Sequence, residues 1–140
     1  MKKIVILILL VFVLTGCNFM HIEDTNGQED FSVVSITDKD ILSKTSKCVK
    51  IGSVETYTYK EFNLKINKFS GIEEIYKSKK MHTIDISSNV ESGNFRIVLI
   101  SNEKIKDINI NKLNQQILQK GDIIKIVGES AKFEITIIEK

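Results

Sequence analysis

The apolar residues of this 140-residue chain form one unbroken run near its start and a series of short runs beyond residue 30. Residues 4–14 (IVILILLVFVL) are the unbroken run, eleven positions long. A helix needs about 20 apolar residues to cross the hydrocarbon core of a bilayer, so this run is too short for a permanent span. Preceded by Lys2 and Lys3, it has the basic start and short apolar centre of an export signal.

The later runs predict strands. Residues 31–36 (FSVVSI) are the first, whereas residues 38–50 (DKDILSKTSKCVK) mix polar and apolar positions and accommodate a helical turn. In residues 55–68 (ETYTYKEFNLKINK), Thr56 and Thr58 alternate with Tyr57 and Tyr59, and then Phe62, Leu64 and Ile66 alternate with Asn63, Lys65 and Asn67. Strand side chains alternate faces with period two, so the slip in parity between Tyr59 and Phe62 requires a bulge or a break between two strands. Ser70-Gly71 reads as a turn, and residues 72–77 and 82–87 (HTIDIS) as further strands, the latter with Ile84 and Ile86 on one face.

The most apolar runs, 95–100 (FRIVLI), 123–127 (IIKIV) and 133–138 (FEITII), are strand-length, rich in Ile and Val, and punctuated by Gly93, Gly121 and Gly128. Helices of ten or more residues do not fit between such punctuators, so these three are expected to be central strands. Residues 110–119 fit two templates: a helix with Ile110, Leu113, Ile117 and Leu118 on one face, or a strand around 115–119 that turns at Lys120-Gly121. The strand is preferred because it continues a regular meander. Short strands without intervening helices predict an all-β fold, an antiparallel β-sandwich. With the Cys and Trp signature of antibody-type domains absent, a jelly-roll-like arrangement is expected.

Between the apolar run and the first strand, residues 18–30 (NFMHIEDTNGQED) turn polar and acidic after Ile22 and read as a flexible tether. Asp24, Asn26 and Asp30 lack the other ligands and the closing Glu of a calcium loop. The step before the tether is Leu14-Thr15-Gly16-Cys17, an apolar residue, two small ones and a cysteine. It resembles the lipobox of bacterial lipoproteins. The resemblance implies cleavage between Gly16 and Cys17, a diacylglyceryl group with palmitate-type chains on the Cys17 thiol, and a domain held at the cell membrane facing away from the cytoplasm. The expected organisation is a signal peptide at 1–16, a lipidated N-terminus and tether at 17–30, and a β-sandwich domain at 31–140, best defined from 55 onward.

Cleavage changes the charge. The chain carries 20 Lys and Arg against 18 Asp and Glu, and loss of Lys2 and Lys3 leaves the two balanced. A near-neutral domain has no general attraction for polyanions, so nucleic acid is not an expected partner. A thioether on Cys17 also excludes a disulfide framework, because Cys48 is the other cysteine of the chain. The lack of Pro and Trp, a single Arg (Arg96) and abundant Ile, Lys and Asn point to AT-rich coding and a Gram-positive surface. Residues 92–101 (SGNFRIVLIS) and 120–135 (KGDIIKIVGESAKFEI) resemble the C-terminal β domain of small uncharacterised lipoproteins of clostridia and their relatives. That resemblance implies an architecture and a location but no reaction.

Chemistry is sparse. The histidines are His21 in the tether and His82 at a strand start, with no metal-ligand spacing around either. His82 and Asp85, three apart on a strand, fall on opposite faces, so His82 is expected to be a surface residue. Ser101-Asn102-Glu103-Lys104 has the Ser-x-x-Lys spacing of penicillin-interacting enzymes, but it falls in a polar turn and its companion motifs are absent. No catalytic residue, no metal site and no cofactor beyond the diacylglycerol on Cys17 is expected.

Tyr57, Tyr59 and Tyr76 are either sugar platforms or cross-strand packing. Lys77, Lys79 and Lys80 either contact anionic wall polymers or guard a sheet edge. Lys120-Gly121-Asp122 reads as a turn. The functional expectation is a non-enzymatic binding module of the cell envelope, anchored in membrane lipid through Cys17, with a cell-wall or membrane-protein partner. The alternative, a small envelope hydrolase or modifying enzyme, requires a cleft containing His82 or a close pair of carboxylates.

Overall fold

The computed structural model describes residues 36–140. Gly16, Cys17, His21, the tether and positions 31–35 lie outside the described residues. Within them are one short helix, α1 (Asp38–Leu42), and six strands: β1 (Lys47–Tyr57), β2 (Glu61–Lys77), β3 (His82–Ser101), β4 (Lys104–Ile108), β5 (Asn114–Leu118) and β6 (Ile123–Glu139). Every pairing is antiparallel, in the order β1-β2-β6-β3-β4, with β5 also paired to β3.

Three long strands make this single sheet into a sandwich: β2 and β6 have 17 residues each and β3 has 20. The start of β3 pairs with β5 and its end with β4, so β4 and β5 occupy the same edge in two different layers. Between the layers the ladders shift register, from Ile66 to Gly71 in β2 and from Val90 to Asn94 in β3, both against the 128–133 region of β6. These bulges bend the strands and increase their twist. Gly71 (φ +119°) and Gly93 (φ +81°) sit at the bends, where an added Cβ would lie 2.1 Å from the Lys47 carbonyl oxygen and 2.5 Å from that of Ser130, respectively.

The glycines therefore bend strands where turns or strand ends were expected. Ser70-Gly71 lies inside β2, HTIDIS and FRIVLI are two parts of β3, and IIKIV and FEITII are two parts of β6. Hydrogen bonding to the neighbours resumes on both sides of each bulge. The parity slip after Tyr59 is a true break, a turn in which the Thr58 N–H donates to the Glu61 carbonyl at 2.8 Å. Residues 114–118 form a strand, with Ile117 exposed and Leu118 buried, an alternation that a helical face would not give.

The inner faces of both layers build one core. Leu64, Ile66, Ile84, Ile86, Leu118 and Ile135 from one layer meet Ile97, Leu99, Ile108, Ile124 and Ile126 from the other. At the bend, the rings of Phe95 and Phe133 stack at 4.1 Å, and Phe69 meets Phe133 edge-on at 5.8 Å. Each buried side chain of this kind contributes about 1.5–3 kcal/mol, which makes the filled interior the main source of stability.

The outer face of one layer is covered by α1, whose Ile41 packs on Ile72, Val98 and Val127. Five residues are too few for an independent helix. Its start is held by a capping box: the Asp40 N–H donates to the Thr37 hydroxyl at 3.3 Å, and the Asp40 carboxylate accepts from the Thr37 N–H at 2.8 Å. Its end is held by Lys125, whose ammonium donates to the carbonyls of Ile41 and Ser43. Among the described residues no helix is long and apolar enough to cross a membrane.

Candidate functional site

At one end of the sandwich the alternation that fills the core runs on into polar residues. The inward row of Ile84 and Ile86 extends back to His82, and that of Ile135 and Ile137 extends forward to Glu139. Tyr76 joins them from β2, where a register shift between Glu74 and Tyr76 sets it opposite the core residue Ile124. Three strand ends from two layers thus converge.

The Tyr76 hydroxyl lies 2.7 Å from His82 Nε2 and donates to Glu139 Oε1 at 2.5 Å; Nε2 and Oε1 are 3.8 Å apart. His82 Nδ1 is 2.9 Å from the Lys80 carbonyl, which can only accept, so Nδ1 carries a hydrogen. One phenol hydrogen cannot serve both neighbours. The phenol hydrogen is directed at Glu139, with His82 Nε2 set against the phenol oxygen.

His82 is not the surface residue expected. Its side chain is only 7% exposed, because it lies two positions before Ile84 and shares that residue's face. Burial raises the Tyr76 phenol pKa well above the ordinary tyrosine range, and the hydrogen bond and negative charge of Glu139 reinforce the shift. Tyr76 is therefore a fixed donor at neutral pH.

Beside this cluster opens a groove of about 410 Å³, lined by Tyr59, Lys60, Lys80, His82, Glu139 and Lys140. It is as large as an ordinary small-molecule site. A smaller recess adjoins it between Tyr57, Phe62 and Tyr76. Tyr59, in the β1–β2 turn, is 94% exposed. The two turns that carry Lys60 and Lys80 are tied to the cluster: the Glu139 N–H donates to the Lys60 carbonyl at 2.8 Å, and His82 Nδ1 holds the Lys80 carbonyl. Lys140 pairs with Asp85 at 2.6 Å. Among the described residues, the ammonium groups of Lys60 and Lys80 have no ion-pair partner.

The arrangement can donate hydrogen bonds and present positive charge. An activated nucleophile would need a hydroxyl open to substrate. Ser78 Oγ is 3.4 Å from His82 Nδ1, but Ser78 is 2% exposed and its hydroxyl donates to the Lys80 carbonyl at 2.6 Å. Among the described residues no three His, Cys, Asp or Glu side chains converge to hold a metal.

The other candidates lie elsewhere. Ser101 and Lys104 are cross-strand partners in the β3–β4 hairpin, whose central residues Asn102 and Glu103 have φ of 49° and 61°. That geometry is a hairpin turn, not the helix start that Ser-x-x-Lys chemistry requires. In the Lys120-Gly121-Asp122 turn, the Asp122 carboxylate accepts from the Gln119 N–H at 2.8 Å. Tyr57 packs on its cross-strand neighbour Phe62, with ring centroids 4.9 Å apart. Lys80 lines the groove, whereas Lys77 and Lys79 do not. Cys48 packs partly buried against the core, opposite Gly71. Glu139 was not among the expected site residues and His82 was expected at the surface; the signal that could have found both is period two carried one step beyond the end of each isoleucine row.

No curated protein matches this chain in sequence. Similar solved structures include Drosophila melanogaster CENP-C bound to CAL1, at 12% identity and a TM-score of 0.40, over 66% of this chain and 85% of that one. A cupin superfamily protein from Desulfitobacterium hafniense DCB-2 is similar at 9% identity and 0.36, over 69% and 78% of the two chains. The EutQ protein of Clostridium difficile is similar at 11% and 0.31, over 71% and 67%. Residues 1–18 match the prokaryotic membrane lipoprotein lipid attachment site, so the chain carries the signal of a bacterial lipoprotein attached to a membrane through lipid and facing outward.

Proposed function

We propose that this protein is an extracytoplasmic binding module, anchored by a diacylglyceryl thioether on Cys17 after cleavage behind Gly16, that engages a component of the cell envelope through the groove beside His82. No other cofactor is required. Residues 17–30 act as the tether and residues 31–140 as the domain. The low-Arg, Lys- and Asn-rich composition and the likeness of residues 92–101 and 120–135 to clostridial lipoproteins support a Gram-positive surface and a wall or membrane-protein partner. Tethering raises the effective concentration of domain and partner, so a weak contact suffices.

The observation that carries this reading is the commitment of the polar groups beneath the groove to one another, with two lysines left at its wall. His82 does lie in a cleft, which the hydrolase alternative demanded. Ser78, the aliphatic hydroxyl beside the ring, is buried and engaged, and this favours binding over acyl transfer. A photo-crosslinking residue at Tyr59 in the full lipidated chain, expressed in its own cell, should capture a wall polymer or a membrane protein. Absence of any adduct, together with hydrolytic turnover of envelope esters or amides by the purified chain, would replace this reading with the enzyme. Cys17→Ala should leave an uncut precursor or release the protein from the membrane fraction. Mature-sized Cys17→Ala protein that still fractionates with lipid would remove the anchor.

A further inference from the structure

We infer that the groove between Tyr59 and Lys80 is a site for an anionic group, phosphate or carboxylate, carried on a sugar or polyol; the inference rests on the binding role just proposed and names its ligand class. The positive side chains come from two turns that meet only because three strand ends converge. Lys60 lies in the β1–β2 turn and Lys80 in the β2–β3 turn, and both line the same concavity. Flexible lysines are poor anion sites when their backbones wander. Here both backbones are pinned, the Lys60 carbonyl by the Glu139 N–H at 2.8 Å and the Lys80 carbonyl by His82 Nδ1 at 2.9 Å and Ser78 Oγ at 2.6 Å. The cluster below thus sets the separation of the two backbones that carry the lysines, and prior positioning reduces the ordering cost of binding.

Charge within the groove favours an anion. Glu139 is the acidic side chain of the lining, and it already accepts from Tyr76 and faces His82. Lys140 contributes positive charge partly offset by Asp85. The ammonium groups of Lys60 and Lys80, which have no ion-pair partner among the described residues, bring positive charge to the groove, where a focused field raises the local concentration of anions. Lysine ammonium groups act as point charges and accept phosphate or carboxylate alike, without the bidentate selection an Arg would impose. Tyr59 supplies the second half of the recognition. Its ring is 94% exposed at the rim of the lysine groove, so a ring or polyol chain bearing the anion can lie against it while the charge enters between the lysines.

The test is calorimetric titration of the full lipidated chain in uncharged nanodiscs with inorganic phosphate, glycerol 3-phosphate and glucuronate, using glycerol and glucose as uncharged controls. Saturable binding of the anionic probes is expected at about millimolar affinity, with none for the controls. Lys60→Gln with Lys80→Gln should weaken all three by about tenfold or more, the change that about 1.4 kcal/mol produces. Lys77→Gln with Lys79→Gln, at lysines outside the groove, should leave them unchanged. Tyr59→Ala should weaken glycerol 3-phosphate and glucuronate while sparing inorganic phosphate. A preference for glycerol 3-phosphate assigns the ligand to polyol phosphates, and a preference for glucuronate to acidic sugars; either supports the inference. Equal losses from the two lysine pairs, or no saturable anion binding, would overturn it. If the Tyr59 crosslink survives that outcome, the binding role stands and only its ligand class falls.

Discussion

The Lys125 ammonium donates to the Ile41 carbonyl at 2.8 Å, joining the start of β6 to the end of a helix 84 positions earlier. Lys125 is 2% exposed and also holds the Ser43 carbonyl. Burial lowers its pKa, and the nearby Glu74 opposes that shift. Lys125→Met keeps an apolar stem of similar reach but leaves both carbonyls without a donor. The expected loss is about 1–3 kcal/mol in denaturant unfolding, the cost of orphaned buried acceptors, with early hydrogen exchange at the Ile41 amide. Unchanged stability and exchange would mean that packing on Val98 and Val127 alone seats the helix.

Tyr76→Phe removes the one hydroxyl that joins His82 to Glu139. Stability should fall by about 1–3 kcal/mol at neutral pH. Because burial and Glu139 raise the folded phenol pKa above the free value of 10.0, the neutral phenol's contribution is complete below pH 10.0 and is lost as pH climbs toward the folded value. Lys125 acts in the opposite sense, since a lysine pKa depressed in the fold makes folding easier as pH rises toward 10.5. Comparing wild type with Tyr76→Phe cancels the lysine. The stability gap between them should narrow above pH 10.0, and a gap independent of pH would show that the hydroxyl acts only through packing.

Much of this architecture was legible because period two survives wherever a strand is half-buried. Leu64 and Ile66, Ile97 and Leu99, and Ile135 and Ile137 all lie on the inner face as their alternation demands. What local pattern could not convey was continuity. A glycine that ends a strand and one that bends it look alike in sequence, and the closeness of the Lys47 carbonyl, which a Cβ on Gly71 would meet at 2.1 Å, is a relation between distant segments. The site was half legible. His82 and Glu139 continue the isoleucine rows by one step, but Tyr76 reaches the same face through a register shift that no local alternation predicts. The pinning of Lys60 and Lys80 depends on hydrogen bonds between segments up to 79 positions apart (Lys60 to Glu139), beyond the reach of any window along the chain.

Gly71 and Gly121 test whether the bends are built on close approach or only on backbone angle. Both have positive φ, +119° and +94°, but a Cβ at Gly121 meets nothing within 4 Å, while one at Gly71 collides with the Lys47 carbonyl and the Cys48 backbone. Gly121→Ala should cost about 1 kcal/mol, the strain of a left-handed residue. Gly71→Ala should cost about 3 kcal/mol or more, because β1 must move off β2 to admit the methyl. Equilibrium denaturation midpoints measure both, and equal losses would show that the close approach at the bend relaxes without cost.

Acid should release the helix before it opens the sandwich. The Thr37 hydroxyl and then the Thr37 N–H, both bonded to the Asp40 carboxylate, hold its pKa below the free value of 3.8. A carboxylate whose pKa is lowered in the fold contributes fully above the free value and loses that contribution as pH falls through the folded one. The capping box should therefore fail below about pH 4. The core of β2, β3 and β6 is apolar and keeps its packing in that range. Amide signals of residues 38–42 should shift toward unfolded positions below pH 4 while those of 133–137 stay in place. Asp40→Asn, which cannot titrate, should flatten that transition, and an unchanged transition in the variant would locate the acid-sensitive group elsewhere.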